Sequence, residues 1–182
     1  MDLMLDIETL GTRPGCVVLT LGAVKFNPHN STQYGETLYI RPSIDEQTAM
    51  DREIQEDTVA WWETQATDVK EEALSNDNRI SLSQTVQQLN KFCVGVNQMW
   101  AQGPAFDFVI LENLYRSLGE PTPWNFWQIR DSRTLFGALG DPRIKGKAGL
   151  HNALEDSISQ AQGVQQVFEK INRSGLGNAN RS

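Results

Sequence analysis

The stretch Leu3-Met4-Leu5-Asp6-Ile7-Glu8-Thr9-Leu10-Gly11 constrains the chain most. Leu3, Leu5 and Ile7 alternate with Met4, Asp6 and Glu8, a period of two that a β-strand turns into two faces. At ~3.3 Å per residue the Asp6 and Glu8 Cα atoms stand about 7 Å apart with both carboxylates on one side. Adjacent anions on a mostly apolar strand repel each other and resist burial. A divalent cation relieves both costs, and carboxylates with water suit Mg²⁺ or Mn²⁺. On its own the pair reads more simply as two solvated acids on an edge strand, so the other acids in the chain decide between these readings.

With 182 residues, 39% apolar and 21% charged, the chain has the size and composition of one globular domain. No apolar run reaches membrane-spanning length and no basic-then-apolar leader is present, which predicts a cytoplasmic protein with no membrane partner. Cys16 and Cys93 lie far apart without a Cys/His cluster, so they read as small buried hydrophobes rather than zinc ligands or a disulfide. A net charge of −7 argues against binding nucleic acid through bulk electrostatics. It is compatible with an acidic site bridged to phosphate by metal ions, provided that the basic residues are local.

The breaker stretch Gly11-Thr12-Arg13-Pro14-Gly15 predicts a turn, followed by a second strand over 16–27 and a third over 34–41 that stops at Pro42. Short connections make these three antiparallel neighbours. Asp57 to Glu63 opens a helix, which Val69, Ala73 and Leu74 extend or follow with another. Residues 83–94 form a helix, 98–101 a short strand, and 105–118 a helix with Phe106, Val109, Ile110 and Leu114 on one stripe. A last strand falls within 124–130, a short helix starts at Asp131, and 152–171 form the final helix. The layout is one α/β domain over 1–172: a mixed five-stranded sheet, three antiparallel strands then two shorter ones, flanked by helices. Residues 173–182 are expected to be a flexible tail.

Three more positions carry chemistry. Asp107 stands at the head of a helix after Gly103-Pro104. His151 and Asp156 are five apart, about 140° around a helix, so they converge only if His151 lies in the loop before it. With Asp6 and Glu8 these make an ordered set. The chain resembles the DEDDh branch of the 3′–5′ exonucleases, which includes RNase T, oligoribonuclease and polymerase proofreading domains. Asp6-Ile7-Glu8-Thr9 is similar to its first motif, 105–111 to its second, and His151-x₄-Asp156 to its third. Residues 58–62 and 129–135 resemble segments of small phage and bacterial exonucleases related to exonuclease VIII.

The resemblance implies an RNase H-like fold and two divalent metal ions, Mg²⁺ or Mn²⁺, held by Asp6, Glu8, Asp107 and Asp156, with His151 as general base. It implies hydrolysis of single-stranded RNA or DNA from the 3′ end to nucleoside 5′-monophosphates, and a possible homodimer. The backbone of Thr9, Leu10 and Gly11 would hold the last nucleotide, near Phe108. Trp61 and Trp62 could stack on bases; adjacent helical residues diverge by ~100°, so one faces the site and the other the core. Arg130, Arg133, Arg143, Lys145 and Lys147 cluster ahead of His151, where an acidic protein would need a phosphate path. Two other readings stay open: a catalytically silent nucleic-acid-binding module, or a phosphohydrolase of small phosphodiesters.

Overall fold

The structure is a computed structural model that describes residues 1–30, 34–143 and 151–174. Its sheet has the order β3-β2-β1-β4-β5. The strands are β1 (Asp2–Thr9), β2 (Val18–Phe26), β3 (Tyr34–Ile40), β4 (Met99–Ala101) and β5 (Ile129–Asp131). The first three pair antiparallel, and β4 and β5 join parallel to β1. The alternation read from the sequence becomes two packed faces. Leu3, Leu5 and Ile7 lie against helices α4 (Leu82–Phe92) and α5 (Pro104–Ser117), through Leu89, Phe108, Leu111 and Tyr115. Met4, with Val24, Phe26 and Trp100, lies on the other side against Ala161, Val164 and Val167 of α7 (Ala153–Arg173). The acids Asp6 and Glu8 share Met4's face, one and two pleats beyond the apolar cluster.

Several expectations shift. Cys16 and Val17 stand outside β2, because β1 slips register between Glu8 and Thr9 and the chain leaves the ladder there. A helix absent from the sequence reading, α1 (Ile44–Ala49), follows β3, capped by Ser43, whose side chain accepts from Glu46 N. The 57–74 region is two helices, α2 (Glu56–Glu63) and α3 (Thr67–Leu74), joined by a turn at Thr64 to Ala66. They cover a third apolar cluster of Leu10, Val17, Leu19, Trp62 and Ala73.

The stripe assigned to α5 is also corrected. Val109 is exposed, and Asp107, Phe108, Leu111, Leu114 and Tyr115 face inward with Ile110. Trp124 packs edge-on against Phe108 and Tyr115 rather than entering a strand. The chain then makes a 3₁₀ turn, Phe126–Gln128, and only Ile129–Asp131 joins the sheet before α6 (Ser132–Leu139). Both cysteines are buried and free. Helix α7 runs one residue past the expected boundary at 172, and the rest of the expected tail lies outside the described residues, apart from Ser174. Among the described residues no helix is long and apolar enough to cross a membrane.

Candidate active site

The site forms where β1 leaves the sheet core, and it depends on how closely α7 approaches. Gly22 of β2 stands opposite Asp6. A Cβ built on it would lie 2.2 Å from the backbone carbon and oxygen of Ala153 and from Leu154 N, so the first turn of α7 rests directly on the strand. Ser157 Oγ donates to the Gly22 carbonyl at 2.9 Å and fixes that contact. The helix thereby brings Asp156 to Asp6 and Glu8, and one carboxylate oxygen from each of the three lies within 4.8 Å of the other two.

Asp107 reaches the same place from α5. Gly103, at φ 105°, precedes the helix in a left-handed conformation, and Pro104 takes its first position. Pairing of β4 with β1 ends at Met4–Trp100, which leaves the Ile7 N–H without a strand partner. Asp107 Oδ1 accepts it at 3.2 Å. Arg133, at the start of α6, lies over Gly103 and donates to the Gln102 carbonyl at 2.9 Å.

His151 does lie just before the helix, at φ 70°. Its N–H donates to Asp156 Oδ2 at 2.9 Å, while Asn152 caps α7 by accepting from Leu154 N and Glu155 N. That turn resolves the 140° problem, because His151 is not part of the helix. Its ring meets Trp61 edge-to-face, centroids 4.9 Å apart.

The four acids resist ionisation. Burial, then the neighbouring Asp107 and Glu8, hold the Asp6 carboxyl well above its usual range, against an opposing hydrogen bond from Gln160. Burial, then Asp156, Asp107 and Glu72, push Glu8 up to about 8. Burial pushes Asp107 to about 7, opposed by backbone hydrogen bonds and Arg133. Asp156 is raised by burial, with the His151 N–H, His151 and Arg143 opposing. Four crowded carboxylates with raised affinities for protons are an oxygen donor set suited to hard divalent cations, so these residues fit the expected metals.

The other expected contacts divide. Trp62 is 1% exposed, with Nε1 donating to the Thr9 carbonyl at 2.9 Å, whereas Trp61 is 40% exposed beside His151. One tryptophan is therefore core and the other faces the site. Phe108 is corrected: it is buried against Trp124 and offers no surface to a substrate. Thr9 and Leu10 are buried as well. Leu10 spends its N–H on the Val17 carbonyl and its carbonyl on Gln55 N, and the Gly11 carbonyl accepts from Thr9 Oγ1. Arg130 donates to the Trp127 and Ile129 carbonyls. Arg143 stacks over Phe136 and pairs with Asp141. Lys145 and Lys147 lie outside the described residues.

Two contributors escaped the sequence reading. Gln160, one turn after Asp156, donates from Nε2 to Asp6 Oδ1 at 2.9 Å, and its buried Oε1 has no partner among the described residues. The i, i+4 spacing from Asp156 is the signal that could have found it. Glu72 of α3 accepts from the Tyr39 hydroxyl and adds negative charge near Glu8. Nothing in a helix-edge glutamate marks that in advance.

Comparison with known proteins finds similarity to exonucleases. A family model described as the 3′–5′ exoribonuclease Rv2179c-like domain matches residues 1–168. An exodeoxyribonuclease of Enterobacteria phage T4 is 24% identical over 163 positions, covering 76% of this chain and 71% of that protein. The nuclease domain of 3′hExo, a DEDDh family member crystallised with rAMP, superposes with a TM-score of 0.50 at 13% identity, covering 96% of this chain and 93% of that one. Exonuclease X, in complex with 5′-overhanging duplex DNA, gives 0.46 at 16% identity with the same coverages. The sheet order and flanking helices are those of the RNase H-like fold of DEDDh exonucleases.

Proposed function

Because the chain belongs to the Rv2179c-like 3′–5′ exoribonuclease domain family, we propose that it removes nucleoside 5′-monophosphates from the 3′ end of single-stranded RNA or DNA. Asp6, Glu8, Asp107 and Asp156 would hold two divalent cations, Mg²⁺ or Mn²⁺, and His151 would be the general base. One observation carries this reading: carboxylates from β1, α5 and α7 converge at one end of the sheet, with a histidine pinned to one of them.

In the reaction a water oxygen forms a bond to the terminal phosphorus, the bond from phosphorus to the 3′-oxygen breaks, and that oxygen leaves with a proton. Bound cations would supply neutralisation of the phosphate and acidification of the attacking water. His151 takes the water's proton, and must be neutral to do so. Its backbone is tied to Asp156 and its ring is edge-on to Trp61, so the imidazole has little freedom to turn away. The exposed part of Trp61 offers a surface on which the last base can stack, whatever its identity. Arg133, held over Gly103 beside Asp107, is the described cation best placed to meet a phosphate on that side.

RNA and DNA are both retained, because the family is described by an exoribonuclease and the phage relative is an exodeoxyribonuclease. The test is degradation of matched 5′-labelled single-stranded RNA and DNA with Mg²⁺, Mn²⁺ or EDTA, beside Asp107→Asn. A metal-dependent ladder shortening from the 3′ end and lost in the variant supports the proposal. Folded protein that cleaves neither polymer with either metal overturns it in favour of a binding module.

A further inference from the structure

Phe126 and Trp127 are 80% and 60% exposed, sit next to each other in the 3₁₀ turn, and pack edge-to-face with centroids 5.0 Å apart. Neither is used by the site or the core. The turn feeds β5, an edge strand of the sheet, and Arg130 folds back from that strand to donate to the Trp127 carbonyl at 2.8 Å. An aromatic pair and a guanidinium are thus held in one place. Arg133 follows three residues later, over Gly103 and within electrostatic reach of Asp107. The acid between the two arginines, Asp131, is occupied at the head of α6 and accepts from Gly103 N, Arg133 N and Thr134 Oγ1. Along the sheet edge the order is therefore two exposed rings, Arg130, Arg133 and then the carboxylate site.

The strand register sets the span. Met4, Trp100 and Arg130 stand side by side across β1, β4 and β5. Counting ~3.3 Å per residue along the strands and ~4.8 Å across each pair puts the Trp127 backbone about 15–20 Å from that of Asp6. A strand stacked as in a duplex advances about 3.4 Å per nucleotide, so about five nucleotides cover that distance, and an extended strand needs fewer.

We propose that Phe126, Trp127 and Arg130 form a holding site for the single strand about three to five nucleotides upstream of the cleaved bond, with Arg133 on the path between. Stacking serves any base, and the arginines supply the positive charge that a phosphate backbone needs along an otherwise acidic protein. This inference rests on the nuclease reading above and adds to it a substrate-length preference.

The test is the steady-state rate on 5′-labelled single strands of two to ten nucleotides. For the wild type, KM falls as length grows past about four nucleotides. A Phe126→Ala/Trp127→Ala double variant loses that gain, with KM for an octamer rising about tenfold, within what one base–aromatic contact is worth. Its kcat/KM on a dinucleotide matches the wild type. Arg130→Gln lowers the slope of log KM against log salt for the octamer by about 0.7. An unchanged length profile overturns the proposal, as does an equal loss on the dinucleotide. So does a dimer that the double variant converts to monomer with the length profile intact, which makes the patch a contact between copies. No cleavage at any length by the wild type refutes the nuclease reading instead. Fluorescence anisotropy of a labelled octamer then decides this one, retention by wild type but not by the double variant supporting it and equal binding overturning it.

Discussion

Gly22→Ala is the substitution through which the packing of the sheet should be read most directly in the chemistry. The new methyl carbon would meet three backbone atoms at 2.2 Å, and backbone cannot swing aside as a side-chain tip can. Ordinary contact begins near 3.4 Å, so the first turn of α7 must lift from β2 by roughly an ångström. Overpacking of this kind costs about 1–3 kcal/mol. Stretching the Ser157–Gly22 hydrogen bond adds about 1 kcal/mol. The lift also carries Asp156 and His151 away from Asp6 and Glu8, and an ångström of misplacement at a reacting centre can lower the rate about a hundredfold. Urea denaturation should show a loss of about 2–4 kcal/mol. Initial rates should fall about a hundredfold in protein that is still folded at the assay temperature. A Gly22→Ala protein with wild-type stability and rate would show that α7 does not rest on β2 as described.

Replacement of His151 should spare metal binding and remove turnover. Asparagine is the better probe because it tolerates the left-handed backbone at φ 70°. His151→Asn should lower kcat by 10²–10⁴-fold with Mg²⁺ affinity unchanged by calorimetry, whereas Asp6→Ala should lose both. Gln160→Leu frees Asp6 Oδ1 from its donor. Calorimetric Mg²⁺ affinity should fall several-fold while Gln160→Glu, which swaps the donor for a like charge, is worse, and equal affinities in all three proteins would contradict the positioning role. Metal-free stability should depend on pH in a stated direction. Glu8 and Asp107 bind protons more tightly folded than unfolded, since burial and like charge raise them from 4.5 to about 8 and from 3.8 to about 7. Their contribution is complete below pH 4 and is lost as pH rises through 7 to 8, a change on the order of a few kcal/mol. Urea midpoints in EDTA should be lower at pH 8 than at pH 5 and recover with Mg²⁺; the reverse order would show that the acids are not crowded as described.

The part of this molecule legible in the sequence is the part governed by period and order. The alternation of Leu3, Leu5 and Ile7 against Asp6 and Glu8 survives intact because each face of β1 packs on different helices, and the acids fall on the α7 side beyond Met4. His151 followed five residues later by a helical Asp156 is readable because a pre-helical loop is the only place from which the two can meet. The less legible features depend on contacts made from a distance. Gly22 reads as a weak point in a strand until α7 is laid on it. Trp124 has strand-like neighbours, yet it is drawn under α5 by Phe108 and Tyr115. Arg130 has the same local charge as Arg133, but side-chain hydrogen bonds send one to the sheet edge and leave the other beside Asp107. Phe108 sits in a recognisable motif next to a site residue, and its neighbour's role says nothing about the way its own ring turns.

The hydrogen bond from Gln160 to Asp6 joins residues 154 positions apart. Between them lies nearly every other element of the fold, so the acid set is among the last features that a growing chain can complete. During synthesis β1 and β2 can pair early, and Asp6 and Glu8 wait beside a bare Gly22 until α7 emerges and docks. A chain made as far as α6 carries three of the four carboxylates and no pinned histidine. On the function proposed above, the site stays incomplete until α7 docks, so activity would be coupled to completion of this domain's fold rather than to its onset.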